Sequence, residues 1–188
     1  MDDIETAFKA IPRVKFLPPD VAIDAAQNYA IPIGFGQTNS QPETVELMLR
    51  WLEVEPGQNI LDVGSGSGLT TGLLAHLIGR SGHVTAVEII PELVEFGRDN
   101  CARLGIINAT FHAAGRIIGW PKHAPYDRIL VSASGDTIPD ALVRQLKPNG
   151  RMVIPVRESI IIMDKDEQGN TTWLEQPGFV FVPLISTN

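Results

Sequence analysis

The 188-residue sequence holds a single cysteine, Cys101, so an intrachain disulfide is excluded and a reducing cytoplasm is the expected compartment. Positive charge is also scarce. Fifteen Lys and Arg against 22 Asp and Glu give a formal charge of −7, so no nucleic-acid partner is expected, because neutralising phosphates needs a basic face. No apolar run approaches the roughly 18 residues of a membrane span. The start, Met1-Asp2-Asp3-Ile4-Glu5, is acidic where a signal peptide would be basic, so no membrane partner is expected either. Internal repeats and low-complexity stretches are absent. His76, His83, His112 and His123 show no metal-ligand spacing with each other or with Cys101, and no metal is expected. No Ser-His-Asp or Cys-His constellation is visible. The composition that remains, 44% hydrophobic and 20% charged, is that of a globular chain. At this length such a chain buries about 70% of its unfolded surface without staples. One domain spanning 1–188, acting as a monomer, is the expectation.

From residue 57 onward, β-rich runs alternate with helical patterns. The runs are Asn59 to Val63, His83 to Ile89, Ala109 to His112, Asp127 to Ala133 and Arg151 to Val156. Between them, Leu69 to Ile78, Pro91 to Leu104 and Pro139 to Leu146 have helical length and spacing. Such alternation predicts crossover units and a parallel sheet in an α/β fold, with both faces covered. The last quarter, 157–188, changes character. Ser159 to Asp164, Thr171 to Glu175 and Phe179 to Leu184 are extended segments with a turn at Glu167-Gln168-Gly169-Asn170, which predicts antiparallel strands at the sheet edge. Residues 1–56 are too short for an independent core and form an N-terminal extension to the 57–156 core.

The strand 59–63 runs into Gly64-Ser65-Gly66-Ser67-Gly68 and then a helix. Glycines at that turn let the backbone bend sharply and approach a ligand. The third glycine falls one residue early for a dinucleotide fingerprint, and no Gly-Lys-Ser/Thr of a P-loop is present. A nucleoside without a pyrophosphate is the better match. Glu88 closes the next strand, where an acid can accept from both ribose hydroxyls. Asp62, just before the loop, can organise loop amides or meet a ligand ammonium. Asp-x-Gly-x-Gly-x-Gly paired with a strand-terminal acid is the signature of S-adenosylmethionine-dependent methyltransferases. The competing reading is a loop that only holds a helix to the sheet.

Further motifs narrow this. Ile11-Pro12-Arg13, Phe16-Leu17-Pro18, Pro32 to Pro42, Glu88-Ile89-Ile90-Pro91-Glu92-Leu93, Ala124 to Ile129 and Leu146 to Arg151 occur in one order. In these the chain resembles the protein-L-isoaspartate (D-aspartate) O-methyltransferases, from about Ile11 to Leu184. The resemblance implies a doubly wound, mostly parallel Rossmann-like methyltransferase sheet with helices on both faces. It implies S-adenosyl-L-methionine as cofactor, S-adenosyl-L-homocysteine as product, and a peptide or protein bearing an isoaspartyl carboxylate as acceptor, in a repair reaction. Ser40 matches the family's catalytic position, and Thr38 joins it in holding the carboxylate. Asp62, Gly64, Ser65, Gly66, Gly68, Glu88, Ile89, Ala114 and Gly115 fall on the cofactor side. Ser40-Gln41-Pro42-Glu43 also reads as a capping box for a helix whose Val45, Met48, Leu49 and Leu52 form a buried stripe.

The chain departs from the family pattern at three places. Asn28 and Ala30 stand where the family has an acid and a proline. Ala114 replaces the acid that touches the adenine side, in a loop, Gly115 to Gly119, one residue longer than usual. Ile185 stands where some members have threonine. Losing the Ala114 hydrogen bond implies a deficit of roughly 1.5–3 kcal/mol in cofactor binding. Two other functions stay open: a methyltransferase for a small molecule or RNA, and an inactive cofactor-binding homologue. Cys101 is expected in the core, Trp120 packed in a loop, Arg128 in a strand-entrance salt bridge, and 164–167 in a solvated turn.

Overall fold

The computed structural model describes residues 2–185; Met1 and the last three residues of the predicted C-terminal edge lie outside that range. The chain opens with helix α1 (Asp3–Ala10), whose first turn is capped by the Asp2 carboxylate accepting from Glu5 N at 2.8 Å. A small hairpin follows, β1 (Ile31–Gly34) and β2 (Gln37–Asn39), then α2 (Pro42–Leu52). The predicted stripe Val45, Met48, Leu49 and Leu52 is the buried face of α2. Next come β3 (Asn59–Val63), α3 (Leu69–Ile78), β4 (His83–Glu88), α4 (Pro91–Arg103) and β5 (Ala109–Ala113). The chain closes with β6 (Tyr126–Val131), α5 (Asp140–Gln145), β7 (Leu146–Val156), β8 (Ser159–Lys165) and β9 (Thr171–Pro177).

The seven strands from β3 onward form one sheet in the order β5-β4-β3-β6-β7-β8-β9. Pairing is parallel from β5 to β7 and antiparallel at β8 and β9. Both crossovers toward β5 are right-handed by rule and lay α3 and α4 on one face; the reversal between β3 and β6 sends α5 to the other. One face buries Ile60, Val84, Ala86 and Leu130 under α1 to α4. The opposite face buries Leu61, Val87, Ile129 and Met152 under α5 and the loop carrying Ala114, Ile118 and Trp120. Each fully buried Leu or Ile contributes about 1.5–3 kcal/mol.

Three expectations are corrected. Phe179 to Leu184 is not a sheet strand: apart from one parallel bridge, Ser134 to Pro183, it crosses the C-terminal ends of the strands. Phe179 and Phe181 pack on the core while Val182 to Ile185 turn toward the cavity described below. Arg128 is not in a salt bridge among the described residues. Its guanidinium donates to the carbonyls of Leu52 and Glu53 at 2.9 and 3.1 Å, closing the C-terminal end of α2. The expected turn 164–167 starts later: Asp164 and Lys165 still belong to β8, paired with Thr172 and Thr171 of β9, where Asp164 pairs with Arg151 and Lys165 donates to the carbonyls of Val143 and Leu146.

Candidate active site

Where strand order reverses, the ends of β3 and β6 part and leave a crevice, the position at which open α/β sheets hold ligands. The main cavity lies there, walled by the glycine loop, Glu88, the 114–119 loop, the hairpin residues Gln37 to Ser40, and Val182 to Ile185.

Gly64, Gly66 and Gly68 have φ of +77°, +51° and +88°, a region that side chains occupy at a cost. Gly68 is also a close approach: a Cβ there would stand 2.9 Å from the carbonyl oxygen of Gly97, so the loop seats directly on α4. Glu88 is 5% exposed, and its carboxylate is aimed by backbone amides. Gly66 N donates to one oxygen at 2.9 Å, and Ile89 N and Ile90 N donate to the other at 2.8 and 3.0 Å. The carboxylate is thus fixed on the cavity wall with acceptor capacity to spare for a diol. Ser65 Oγ is buried on the same wall and has no hydrogen-bond partner among the described residues. An orphaned hydroxyl, a fixed carboxylate and a glycine cradle fit a nucleoside ligand.

Asp62 is fully buried behind this wall and does not line the cavity. One oxygen accepts from the hydroxyls of Thr70 and Thr71 at 2.9 and 2.6 Å, and the other has no partner among the described residues. It therefore organises the start of α3 rather than the loop amides. Burial pushes its pKa up to about 6, against the lowering effect of the two threonines. Thr70, which does line the cavity, stands between Asp62 and the cavity.

The far wall is apolar, with Ile89, Ala114, Ile118 and Leu184. Ala114 N already donates to the Glu88 carbonyl at 2.7 Å, so the amide does not replace the missing acid. Gln145 holds this loop, accepting from Trp120 N at 2.7 Å and donating to the Ile118 carbonyl at 2.8 Å. Trp120 packs in the loop as expected, stacked on His112 with ring centroids 4.2 Å apart.

Thr38 and Ser40 stand on the opposite side, where the cavity meets a second recess shared with Ala30, Thr44, Ser132 and Phe181. Ser40 does not cap α2. The residue flanking that helix is Gln41, and the amide of Glu43 is taken at 3.2 Å by the Asn28 side chain, leaving Ser40 to face the recess. Among the described residues, Glu88 is the sole ionisable group on either wall. The junction thus offers hydrogen bonds but no general base, which restricts it to an acceptor that is already a nucleophile.

The structure brings the expected residues to one cavity, except Asp62 behind its wall and Gly68, which is seated against Gly97 of α4. Thr70, Asn39, Ser132 and the 182–185 segment were not anticipated. Ser132 was findable, because it directly follows a strand at the carboxyl edge of the sheet. No group of three His, Cys, Asp or Glu side chains able to hold a metal exists among the described residues.

The family model described as protein-L-isoaspartate(D-aspartate) O-methyltransferase matches residues 1–188. A protein-L-isoaspartate O-methyltransferase of Methanococcoides burtonii is 42% identical over 95% of this chain and 90% of its own length. A second, from Archaeoglobus fulgidus, is 40% identical over 95% and 83%. Among solved structures, a protein-L-isoaspartate O-methyltransferase superposes with a TM-score of 0.87 at 27% identity, over 98% of this chain, which spans 61% of that protein. A Plasmodium falciparum protein assigned to the same activity, in complex with S-adenosyl-L-homocysteine, gives 0.87 at 25% identity over 100% and 92%. With the sheet order, the glycine cradle and the Ser40 recess, these matches establish that the chain belongs to the protein-L-isoaspartate (D-aspartate) O-methyltransferase family.

Proposed function

We propose that this protein methylates the carboxylate of isoaspartyl residues in proteins and peptides, a repair reaction. The observation that carries the reading is the junction itself. Thr38 and Ser40 face the point where the main cavity meets an open recess, and among the described residues the one ionisable side chain on either wall is Glu88, whose carboxylate is held by the amides of Gly66, Ile89 and Ile90. An isoaspartyl carboxylate is ionised at neutral pH and needs no general base.

When bound, S-adenosyl-L-methionine supplies an electrophilic methyl group on a positively charged sulfur. Glu88 and the 64–68 loop would hold its nucleoside, Ser65 offering a further hydrogen bond. Ser40 and Thr38 orient the acceptor carboxylate by donating hydroxyl hydrogen bonds without protonating it. Orientation of this kind is worth an effective molarity of roughly 10⁵–10⁸ M. The apolar wall of Ile118 and Leu184 excludes water, which favours a reaction that neutralises charge. The same reading has the protein acting as a monomer in the cytoplasm, in keeping with one buried thiol and no helix long and apolar enough to cross a membrane among the described residues.

A carboxyl methyl ester is labile to mild alkali, whereas N-methyl and ether methyl groups are not. Methyl incorporated into an isoaspartyl peptide should leave as methanol at alkaline pH; alkali-stable product would reassign the acceptor. The bare Ala114 wall favours a second reading, a cofactor binder without catalysis. Saturable S-adenosyl-L-homocysteine binding with no transfer to any peptide would support it.

A further inference from the structure

Arg13 is the only arginine among the buried described residues, at 7% exposure, and it lines neither recess. No carboxylate pairs with it among the described residues. Its charge is met by oxygens of the acceptor side instead. Nε donates to Asn39 Oδ1 at 2.8 Å, one terminal nitrogen to the Gln27 carbonyl at 2.8 Å, and the other to the carbonyls of Tyr29, Asn39 and Ser40 at 2.8, 3.1 and 2.9 Å. With its Oδ1 taken, the Asn39 amide must present its nitrogen the other way. That nitrogen donates to Ser67 Oγ in the glycine loop at 3.0 Å, and the Ser67 carbonyl in turn accepts from Asn100 at 2.9 Å. Asn39, Ser67 and Asn100 are all less than 5% exposed. A buried polar chain therefore runs from Arg13, through the segment carrying Thr38 and Ser40, into the loop on which the nucleoside would sit.

We propose that Arg13 is a positioning residue: its fork fixes the carbonyls of Asn39 and Ser40 and aims the Asn39 amide at Ser67, locking the acceptor-side segment to the glycine loop. A ligand seated on the loop then also orders the side that receives the acceptor. The inference rests on the proposed function in taking the loop as donor site and Thr38–Ser40 as acceptor site. Lysine does not substitute here. It keeps the charge but has no planar fork with which to span these oxygens. A displacement of about 1 Å at a reacting centre can cost roughly 10²-fold in rate.

The test compares wild type with Arg13→Lys and Ser67→Ala, the latter leaving the carbonyl contacts of Arg13 in place. Hydrogen exchange of the amides of residues 37–41 is read with and without saturating S-adenosyl-L-homocysteine. Alongside it, kcat and KM for an isoaspartyl peptide are measured per site titrated with that ligand. The ligand should slow exchange across 37–41 in wild type, and both variants should lose that response. In Arg13→Lys, kcat should fall roughly 10- to 100-fold, with ligand affinity changed only a few-fold. Unaltered kcat per folded site with only a lower melting temperature would reduce Arg13 to scaffolding and overturn the proposal. So would ligand-dependent protection retained in either folded variant, or absent from wild type. If Arg13→Lys does not fold, Ser67→Ala decides by the exchange readout. Wild type that shows the coupling but does not methylate the isoaspartyl peptide would refute the proposed function and leave the positioning role standing.

Discussion

The carboxyl group of Asp62 loses its hydration on folding and regains only the hydroxyls of Thr70 and Thr71, so its pKa rises to about 6. A carboxyl raised above its unfolded value of about 3.9 binds more protons in the native state between those two pH values. Its stabilising contribution is therefore complete below about pH 4 and lost as pH climbs through 6, a swing on the order of 3 kcal/mol. Urea melts of wild type and Asp62→Asn at pH 4 and 7 should show their stability difference moving toward the variant at the higher pH. A pH-independent difference would refute the assignment. Ala114 stands where the family pattern has an acid, and its own amide is spent on Glu88. Ala114→Asp should tighten S-adenosyl-L-homocysteine binding by about one to two orders of magnitude in calorimetry, the worth of one charge-assisted hydrogen bond. Ser40 caps no helix. Ser40→Ala should therefore lower kcat for peptide by roughly 10²-fold while the melting temperature stays within a degree or two.

The loop between β5 and β6 meets the sheet at a cluster of histidines, His83 on β4, His112 on β5 and His123 in the loop. His112 stacks on Trp120, His123 lies edge-on to His112 at 5.4 Å, and His83 meets the Thr110 hydroxyl at 3.0 Å. Burial, then the neighbouring His123, lowers the pKa of both His83 and His112. A histidine held below its unfolded value of about 6.5 gives stability present above that pH and lost as pH falls through the folded value. Stability should drop more steeply below about pH 6.5 in wild type than in His112→Phe, which keeps the stack without the proton. Equal slopes in pH-resolved urea melts would sink this. Elements with strong local signals were legible: β3 and α3 span the residues expected, because a β-branched run, a glycine cluster and an apolar helix leave no ambiguity. The start of β7 was not. Pro148-Asn149-Gly150 reads as a turn, and Asn149 does take a positive φ of 60°, yet the strand begins at Leu146 through a shifted register beside β6.

For the molecule as a whole, alternation of strand and helix was enough to predict a parallel sheet, and the glycine loop with Glu88 was enough to point to the cavity at its reversal point. What sequence spacing did not disclose were contacts between distant segments. Asn28 takes the amide of Glu43, Val182 to Ile185 return to the cavity, and Arg13 gathers carbonyls from 27 to 40. None of these pairs has a periodicity or a motif, since each depends on two segments meeting only once the sheet is built. The fold thus delivers one crevice where the cavity of Glu88 and the glycine loop meets the recess of Thr38 and Ser40, with an isoaspartyl carboxylate as the proposed methyl acceptor. The most direct check is the initial rate of labelled methyl transfer from S-adenosyl-L-methionine to a short isoaspartyl peptide, with the normal aspartyl peptide as control. Incorporation into the isoaspartyl peptide, strongly reduced in Ser40→Ala, and none above background with the control is the expected result. Equal labelling of both peptides, or none of either while S-adenosyl-L-homocysteine still binds, would contradict it.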